Sequence, residues 1–547
     1  MNESSTQANA HWDVIVVGSG ATGGIAAMTL SQGGCRVLVI EAGRALTAAE
    51  TFPGELNNTI GRLRGISSGR HQRQAQHPGY WKNNPELYVD ERLHPYDHPD
   101  DQPFLWTQGN QIGGRSLTWG GITLRLSDED FSGLNAGEDI NRWPIDSSDL
   151  TAHYDALEHD LGIHGAKDHL PHLPDGNSDE PLPFTQAEQR FSDKVHQQLR
   201  YDVIHSRGFA PHKPEEDGEW PRSSSRGSSL KKALSTGLVS LLSDHKVERL
   251  MIAPRGDHAS GVVAVDQSDG CRKEFKADHV VLCGSTIQSV SVLLRSRQYG
   301  LGDASGRLGQ RLMDHVSTSQ FFAMPGDSDT PQPALSGAGS FFLPFGRHLN
   351  NADFLGGYGL WGGIGRFDPP ELLKRQRNSS TGFLIGHGEV LPNPNNRVSL
   401  STKRDRWGMA VPYIACRWRA NELAMVRHMR STMKACIEVA GGKALPIKDL
   451  FRIPFIEPIL SGAVALSKSA PPPGYYIHEV GGAPMGPSSE SSVVDPWNRV
   501  WQCPNVLVVD GACWPTSAWQ SPTLTMMAIT RRACRKLLSS RAGRTDR

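Results

Sequence analysis

The chain has 547 residues, 38% hydrophobic and 21% charged, with 57 basic against 57 acidic side chains and no net charge. That length exceeds one simple core and predicts two domains of an ordinary globular enzyme. The neutral balance argues against a nucleic-acid partner, even where Arg62, Arg64, Arg70 and Arg73 gather. No run is apolar for long enough to span a membrane, and the first residues carry no basic-then-apolar leader pattern. The eight cysteines form no C-x-x-C or C-x-x-C-H, which leaves a zinc site, a thioredoxin-like pair and an attached c-type haem unsupported. A reduced, cytoplasmic protein is expected.

Val14 to Val17 form a short apolar strand that runs into Gly18, Gly20 and Gly23, a G-x-G-x-x-G, and then a helical segment, Ile25 to Gln32. Gly18 permits the tight turn, Gly20 lets backbone approach a pyrophosphate, and Gly23 lets helix pack on strand. The free N–H groups and positive end of that helix suit a diphosphate. A second strand, Arg36 to Ile40, ends on Glu41, roughly twenty residues past the first glycine, where a carboxylate can bind two ribose hydroxyls. Together they predict dinucleotide binding.

Residues 51–105 are polar and read as loop. Gly109 to Leu126 is glycine-rich, yet Ile112, Leu117, Trp119 and Ile122 make it too apolar for a plain surface loop; it suits backbone wrapped around a ligand. Residues 149–163 form an amphipathic helix, and 165–227 an irregular insertion. Val247 to Ile252, Gly261 to Asp266 and Val280 to Cys283 read as strands. The last meets Gly284 and a helix, Ile287 to Arg295, a second strand-to-helix step. Residues 317–473 alternate short β-like segments with Gly and Pro around one long helix, Ala420 to Ala440. The chain closes with a strand, Val506 to Asp510, a turn holding Pro515 and Pro522, and a helix, Leu524 to Leu538.

Nucleotide-like segments thus stand at the start, middle and end. They predict an α/β, Rossmann-like dinucleotide domain assembled from three pieces, 11–165, 226–316 and 474–541. The insertions 166–225 and 317–473 make the substrate domain, and 1–10 and 542–547 are tails.

Several blocks go beyond the glycine fingerprint: G-G-R-S-L-T-W-G-G (Gly113 to Gly121), V-V-L-C-G-S-T-I-Q-S (Val280 to Ser289), G-R-L-G-Q-R-L-M-D-H (Gly306 to His315), G-E-V-L-P-N-P-N-N-R-V-S-L (Gly388 to Leu400), H-E-V-G-G-A-P-M-G (His478 to Gly486) and N-V-L-V-V-D-G-A-C-W-P-T-S-A-W-Q-S-P-T-L-T (Asn505 to Thr525). In these the chain resembles the glucose–methanol–choline family of flavin oxidoreductases. A nicotinamide-dependent Rossmann enzyme would explain the first βαβ unit as well and the C-terminal blocks not at all.

The resemblance implies FAD, and a substrate domain of α+β type built on an antiparallel sheet. Gly18, Gly20, Ala21, Gly23 and Glu41 would hold the ADP half, with a phosphate contact from Thr22 and backbone of Val247 against adenine. Gly113, Gly114, Ser116, Trp119, Gly120 and Gly121 would pass along the flavin. Asp510, Pro522 and Thr523 would close over the ribityl chain and ring, and Gly284 and Gly511 would also be cofactor-binding. Thr118 stands where some members carry a histidine that links FAD, so non-covalent FAD is expected.

Removing hydride from an alcohol also needs a base that titrates near neutrality, as histidine does. Of 21 histidines, His478 follows the strand-like Y-Y-I, precedes Gly481 and Gly482, and matches the family's catalytic histidine. His315 and His387 read as structural. The family's second active-site residue, a histidine or asparagine before the motif's proline, is Ser521 here. Ser521 could orient substrate through a water, Gln520 could take the role, or Ser521 could simply bond backbone in its turn. The expected activity is oxidation of a CH–OH group of a sugar, glycoside or polyol, with oxygen or another acceptor taking the electrons. Trp361, Trp407, Trp418 and Trp519 could stack on sugar or fill core. A redox-neutral or light-driven flavoprotein, lyase or decarboxylase, and a catalytically silent flavin subunit are the alternatives.

Overall fold

A computed structural model describes residues 7–8, 10–134, 142–326, 334–349, 353–366, 375–376, 378–450 and 470–545. Most of the expected tails, 1–10 and 542–547, lie outside these or have undescribed side chains. The first apolar run forms β1 (His11–Val17), which leads through the glycine turn into α1 (Ala21–Gln32) and then β2 (Val37–Ile40). Val14 to Val17 are all buried because parallel neighbours flank β1 on both sides, with β2 on one. A strand covered on both faces needs an unbroken apolar run. Two glycines set the geometry here. Gly18 has φ +97°, and a Cβ on it would lie 2.5 Å from the Cys283 carbonyl oxygen; a Cβ on Gly23 would lie 2.0 Å from the Gly18 carbonyl oxygen. Only glycine lets α1 start this close to β1.

The sheet continues through β3 (Val239–Leu242), β4 (His245–Ile252), β5 (Ala259–Asp266) and β6 (Arg272–Leu282). β6 leads into α2 (Thr286–Ser296). A second sheet is antiparallel and holds β7 (Val316–Pro325), β8 (Phe341–Gly346), β9 (Tyr358–Ile364) and β10 (Ser379–Gly388). Helix α3 (Ala420–Val439) packs on it through Met425, Met429 and Met433, whose side chains fill the space beside Gly386 and Gly388. The chain then returns to the first sheet with β11 (Cys503–Val508) and ends in α4 (Thr523–Thr545). The first sheet runs Arg499–Val500, β11, β6, β1, β2, β3, with β5 and then β4 attached beyond β6. Its β11–β6–β1–β2–β3 pairings are parallel and those of β4 and β5 antiparallel. The fold is thus the expected α/β sheet with a separate antiparallel one.

The main departure lies in residues 51–105. They hold a 13-residue helix, Glu55–Ser67, where loop was expected. Asn57, Asn58, Gly61 and Gly65 weaken its helical signal. Tertiary contacts override that: Arg62, 3% exposed, donates to the carbonyls of Tyr80 and Asn83 and pairs with Glu55 at 2.6 Å. All eight cysteines are free thiols, seven of them buried. Among the described residues no helix is long and apolar enough to cross a membrane.

Candidate active site

A cavity of about 600 Å³ runs from the glycine turn to the antiparallel sheet. At one end stand Gly18, Gly20, Ala21, Thr22 and Glu41; at the other stand Ser317, Thr318, Trp361 and Ile385. His478, Gly511, Ser521, Pro522 and Thr523 also line it. Helix α1 opens onto this space without a side-chain cap, so its first N–H groups have no protein acceptor there. Gly20 has a negative φ in an extended conformation, and a Cβ on it would meet no protein atom nearer than 3.9 Å. The chain itself does not demand glycine at position 20, and the bare backbone leaves room for a group in the cavity. Free N–H groups and bare backbone fit a diphosphate.

Glu41 is 9% exposed and already engaged. Its Oε2 accepts the N–H of Ser19 at 2.8 Å and the Ser19 hydroxyl at 2.7 Å, and its Oε1 accepts the N–H of Gly43 at 2.7 Å. Burial raises its pKa, against the pull of these donors. Ser19 Oγ also accepts the N–H of Gly113 at 2.9 Å. The Ser116 hydroxyl donates to the Gly113 carbonyl at 2.6 Å and accepts the N–H of Ser225 at 3.0 Å. Ser225 closes the ring by donating its hydroxyl to the Ser19 carbonyl at 2.7 Å. Four distant segments are thereby locked around the glycine turn. The sequence reading missed Ser19 and Ser225, because serine in a turn carries no signal of a partner two hundred residues away.

At the other end, Asp314 organises the segment that carries His478. It is 1% exposed, and its carboxylate accepts four backbone N–H groups: His315 and His478 at 2.8 Å, Gly474 at 2.9 Å and Tyr476 at 3.2 Å. Burial, with the nearby Glu479 charge, pushes its carboxyl up to about 7 against those donors. Ile477, within this clamp, has φ +65°, an unfavourable conformation for a β-branched residue that the surrounding bonds must hold. His478 Nδ1 lies 2.9 Å from His315 Nδ1, and His315 Nε2 lies 3.0 Å from the Ala518 carbonyl oxygen. Burial drives the His478 pKa well below its usual value, and the neighbouring His315 and His387 rings and the Arg115 charge further disfavour a proton there. Arg115 bridges Glu479 and Ser285, both at 2.7 Å.

Most of the expected residues line this cavity: Gly114, Ser116, Trp119, Gly120, Gly121, Val247, Gly284 and Asp510 join those already placed. Gly23 and Gly113 do not; the first packs under the turn and the second stands behind the wall on Ser19. Asp510 accepts from Ser289 at 2.6 Å and from the N–H of Ala512 at 3.0 Å, and burial pushes its carboxyl up to about 6. Ser521 lines the cavity, and its hydroxyl has no hydrogen-bond partner among the described residues, so it does not simply tie its own turn. Gln520 is not the substitute considered above. It is fully buried, with its amide on Asp130 at 2.7 Å and its carbonyl accepting the N–H of Trp519. Of the four tryptophans, Trp361 lines the cavity. Trp407 and Trp519 are core residues, and Trp418 donates to the Pro471 carbonyl at 2.6 Å.

An uncapped βα turn, a bare glycine backbone and a buried histidine in one continuous cavity define a dinucleotide-dependent oxidoreductase. The chain belongs to the GMC oxidoreductase family, whose N- and C-terminal models match residues 12–317 and 392–530, and whose cofactor is FAD. It is 26% identical to paromamine 6'-oxidase of Streptomyces fradiae, over 96% of this chain and 91% of that one. It is 24% identical to 2-methyl-1,2-propanediol dehydrogenase of Mycolicibacterium austroafricanum (95% and 94% covered) and 20% identical to the fructose dehydrogenase large subunit of Gluconobacter japonicus (96% and 98%). Among solved structures, pyridoxine 4-oxidase from Mesorbium loti shares the fold with TM-score 0.60 at 19% identity, over 96% of this chain and 99% of that one.

Proposed function

We propose that this FAD-dependent oxidoreductase oxidises a CH–OH group of a sugar, glycoside or polyol, with His478 as the base for the hydroxyl proton. One observation carries the reading: His478 stands as a neutral imidazole in the wall of the cavity that Ser521 also lines, its backbone fixed by Asp314. A neutral ring can take a proton; the drop in pKa that burial causes keeps it neutral until substrate arrives. Bound FAD supplies the two-electron acceptor for the hydride.

On this reading the uncapped start of α1 and Gly20 hold the diphosphate, and Ser19 and Glu41 fix the turn around it. Val247 offers backbone to the adenine, and Asp510, Pro522 and Thr523 stand at the ribityl chain. Segments 11–165, 226–316 and 474–541 form the FAD-binding domain, and Thr118 in the linking slot leaves FAD non-covalent. Acid precipitation that leaves yellow flavin in the supernatant supports this; flavin in the pellet overturns it. Ser521 orients the substrate hydroxyl with one neutral hydrogen bond. Ser317 and Ser319, two residues apart on β7, line the far wall with Trp361, and serine beside an aromatic ring suits a polyhydroxylated substrate. The names of the relatives, an aminoglycoside oxidase and a fructose dehydrogenase among them, point the same way. Anaerobic mixing of the holoenzyme with a panel of sugars, glycosides, polyols and simple alcohols tests the proposal. Flavin bleaching by a polyhydroxylated member supports it. Bleaching by simple alcohols alone, or by no alcohol, overturns it. Admission of air afterwards tells an oxidase from a dehydrogenase.

A further inference from the structure

We propose that His315 fixes His478 in the tautomer that leaves its Nε2 lone pair free toward the cavity, which makes His315 a positioning residue for proton removal. The inference rests on the reading of His478 as the base.

The argument is a count of hydrogens along one chain of atoms. The Ala518 carbonyl oxygen, 3.0 Å from His315 Nε2, has lone pairs and no hydrogen. It can only accept, so Nε2 of His315 donates. His315 is 1% exposed, and burial pushes its pKa down to about 4, so at neutral pH it carries one hydrogen and its Nδ1 is a bare lone pair. His478 Nδ1 lies 2.9 Å from that lone pair. Two lone pairs cannot face each other at this distance, so Nδ1 of His478 carries the hydrogen and donates it. The His478 ring is neutral as well, and its single hydrogen is spent there. Among the described residues its Nε2 has no protein partner, and the residue lines the cavity.

The backbone supports this order of donors. Ala518 has φ +55°, and the carbonyl it presents determines which nitrogen of His315 is protonated. His387 flanks His315, with ring centroids 5.3 Å apart, but its Nδ1 is engaged by the Tyr476 hydroxyl at 2.8 Å. It therefore does not compete for Nδ1 of His315. Asp314 bonds only backbone N–H groups, and Arg115 is held by Glu479 and Ser285. No acid among these gives or takes a proton on the ring nitrogens.

The chemical consequence is direct. The substrate O–H bond breaks and its proton goes to Nε2 of His478 as the C–H hydride departs to the flavin. The ring becomes an imidazolium, and its Nδ1–H bond to neutral His315 becomes charge-assisted, hence stronger. His315 thus prepares the base and stabilises its product without touching substrate.

The test combines a spectroscopic readout with kinetics. Holoenzyme labelled with ¹⁵N-histidine is examined at pH 7.5 by long-range ¹H–¹⁵N correlation, with the His478 signals identified by their loss in His478→Ala. The hydrogen is expected on Nδ1 of His478; a hydrogen on Nε2, or on both nitrogens, overturns the proposal whatever the activity. In rapid mixing, His315→Leu should slow flavin bleaching by about 10- to 10²-fold with little change in half-saturation by substrate. His315→Asn, whose amide oxygen can accept from Nδ1, should recover most of the rate and keep the hydrogen on Nδ1. If the leucine variant does not fold, the asparagine variant decides alone: a hydrogen moved to Nε2 of His478 overturns the proposal. Wild-type bleaching in His478→Ala would remove the base assignment while leaving the tautomer as measured, so the two failures are distinct.

Discussion

Glu41 and Ser19 are joined twice, since one carboxylate oxygen accepts both the N–H and the hydroxyl of the serine. The glutamate therefore shapes the glycine turn itself, in addition to the ribose contact proposed for it. Glu41→Gln keeps the size but replaces one acceptor by an NH₂ that faces N–H donors. Losing a hydrogen bond to a charged group costs about 1.5–3 kcal/mol, so FAD should bind roughly 10- to 150-fold more weakly. The thermal midpoint of the FAD-free protein should fall too. Flavin-fluorescence titration and a melt of the apoprotein check this. A weakened affinity with an unchanged apoprotein midpoint would mean that Glu41 serves the ribose alone.

Gly20 and Gly23 belong to one motif but answer to different constraints. Gly20→Ala should leave the apoprotein folded, because its Cβ meets nothing of the chain within 3.9 Å. A methyl forced into space occupied by the diphosphate costs about 1–3 kcal/mol, or roughly 5- to 150-fold in FAD affinity. Gly23→Ala should fail to fold, with its Cβ 2.0 Å from a carbonyl oxygen. Circular dichroism of both apoproteins separates the cases; a misfolded Gly20→Ala would show that position 20 is structural.

For the chemistry, His478→Ala should retain FAD yet slow flavin bleaching by on the order of 10²-fold or more. Ser521→Ala should be milder, about 2- to 13-fold, the equivalent of one neutral hydrogen bond of about 0.5–1.5 kcal/mol. Ser521→Asn should be tolerated, since the side chain extends into the cavity. Equal defects in His478→Ala and Ser521→Ala would give the serine a direct part in the reaction.

Acid should destabilise the fold through its buried histidines. Burial pushes His71, His77, His153 and His315 down to about 4 and His94 to about 3, with His387 and His478 also well below the usual value. The unfolded chain takes up protons on these rings below about pH 6.5 and the folded chain does not, so stability falls as pH drops from about 6.5 toward 4. Asp130 and Asp510, pushed up to about 6, and Asp314, at about 7, act in the opposite sense, but they are fewer. The thermal midpoint of the holoenzyme should be lower at pH 5 than at pH 7.5; an equal or higher midpoint at pH 5 would refute this balance.

What could be read from the chain beforehand follows the range of the interactions. The turn from Gly18 to Gly23, the strand before it and Glu41 lie within one βαβ unit, so local spacing reveals them. The strand at Val506 and the long helix from Ala420 show in hydrophobic periodicity alone. His478 stood out by its motif. The helix over Glu55–Ser67 was hidden because its support comes from Tyr80 and Asn83 through Arg62, not from its own propensities. Asp314 was invisible for a similar reason: an aspartate before a histidine looks ordinary until the fold brings residues 474–478 to it. Gln520 and Ser521 are adjacent, and spacing could not say which one faces the cavity.

The clamp at Asp314 has a consequence for how such a site can change. All four of its bonds go to backbone N–H groups, which every residue except proline possesses. The loop is therefore fastened through its backbone, with Gly474 as the one clamped position that has no room for a side chain. Mutation at positions 475 and 477 can reshape the wall of the active site while the attachment beneath stays intact, so this segment can explore new surfaces without unseating the histidine it delivers.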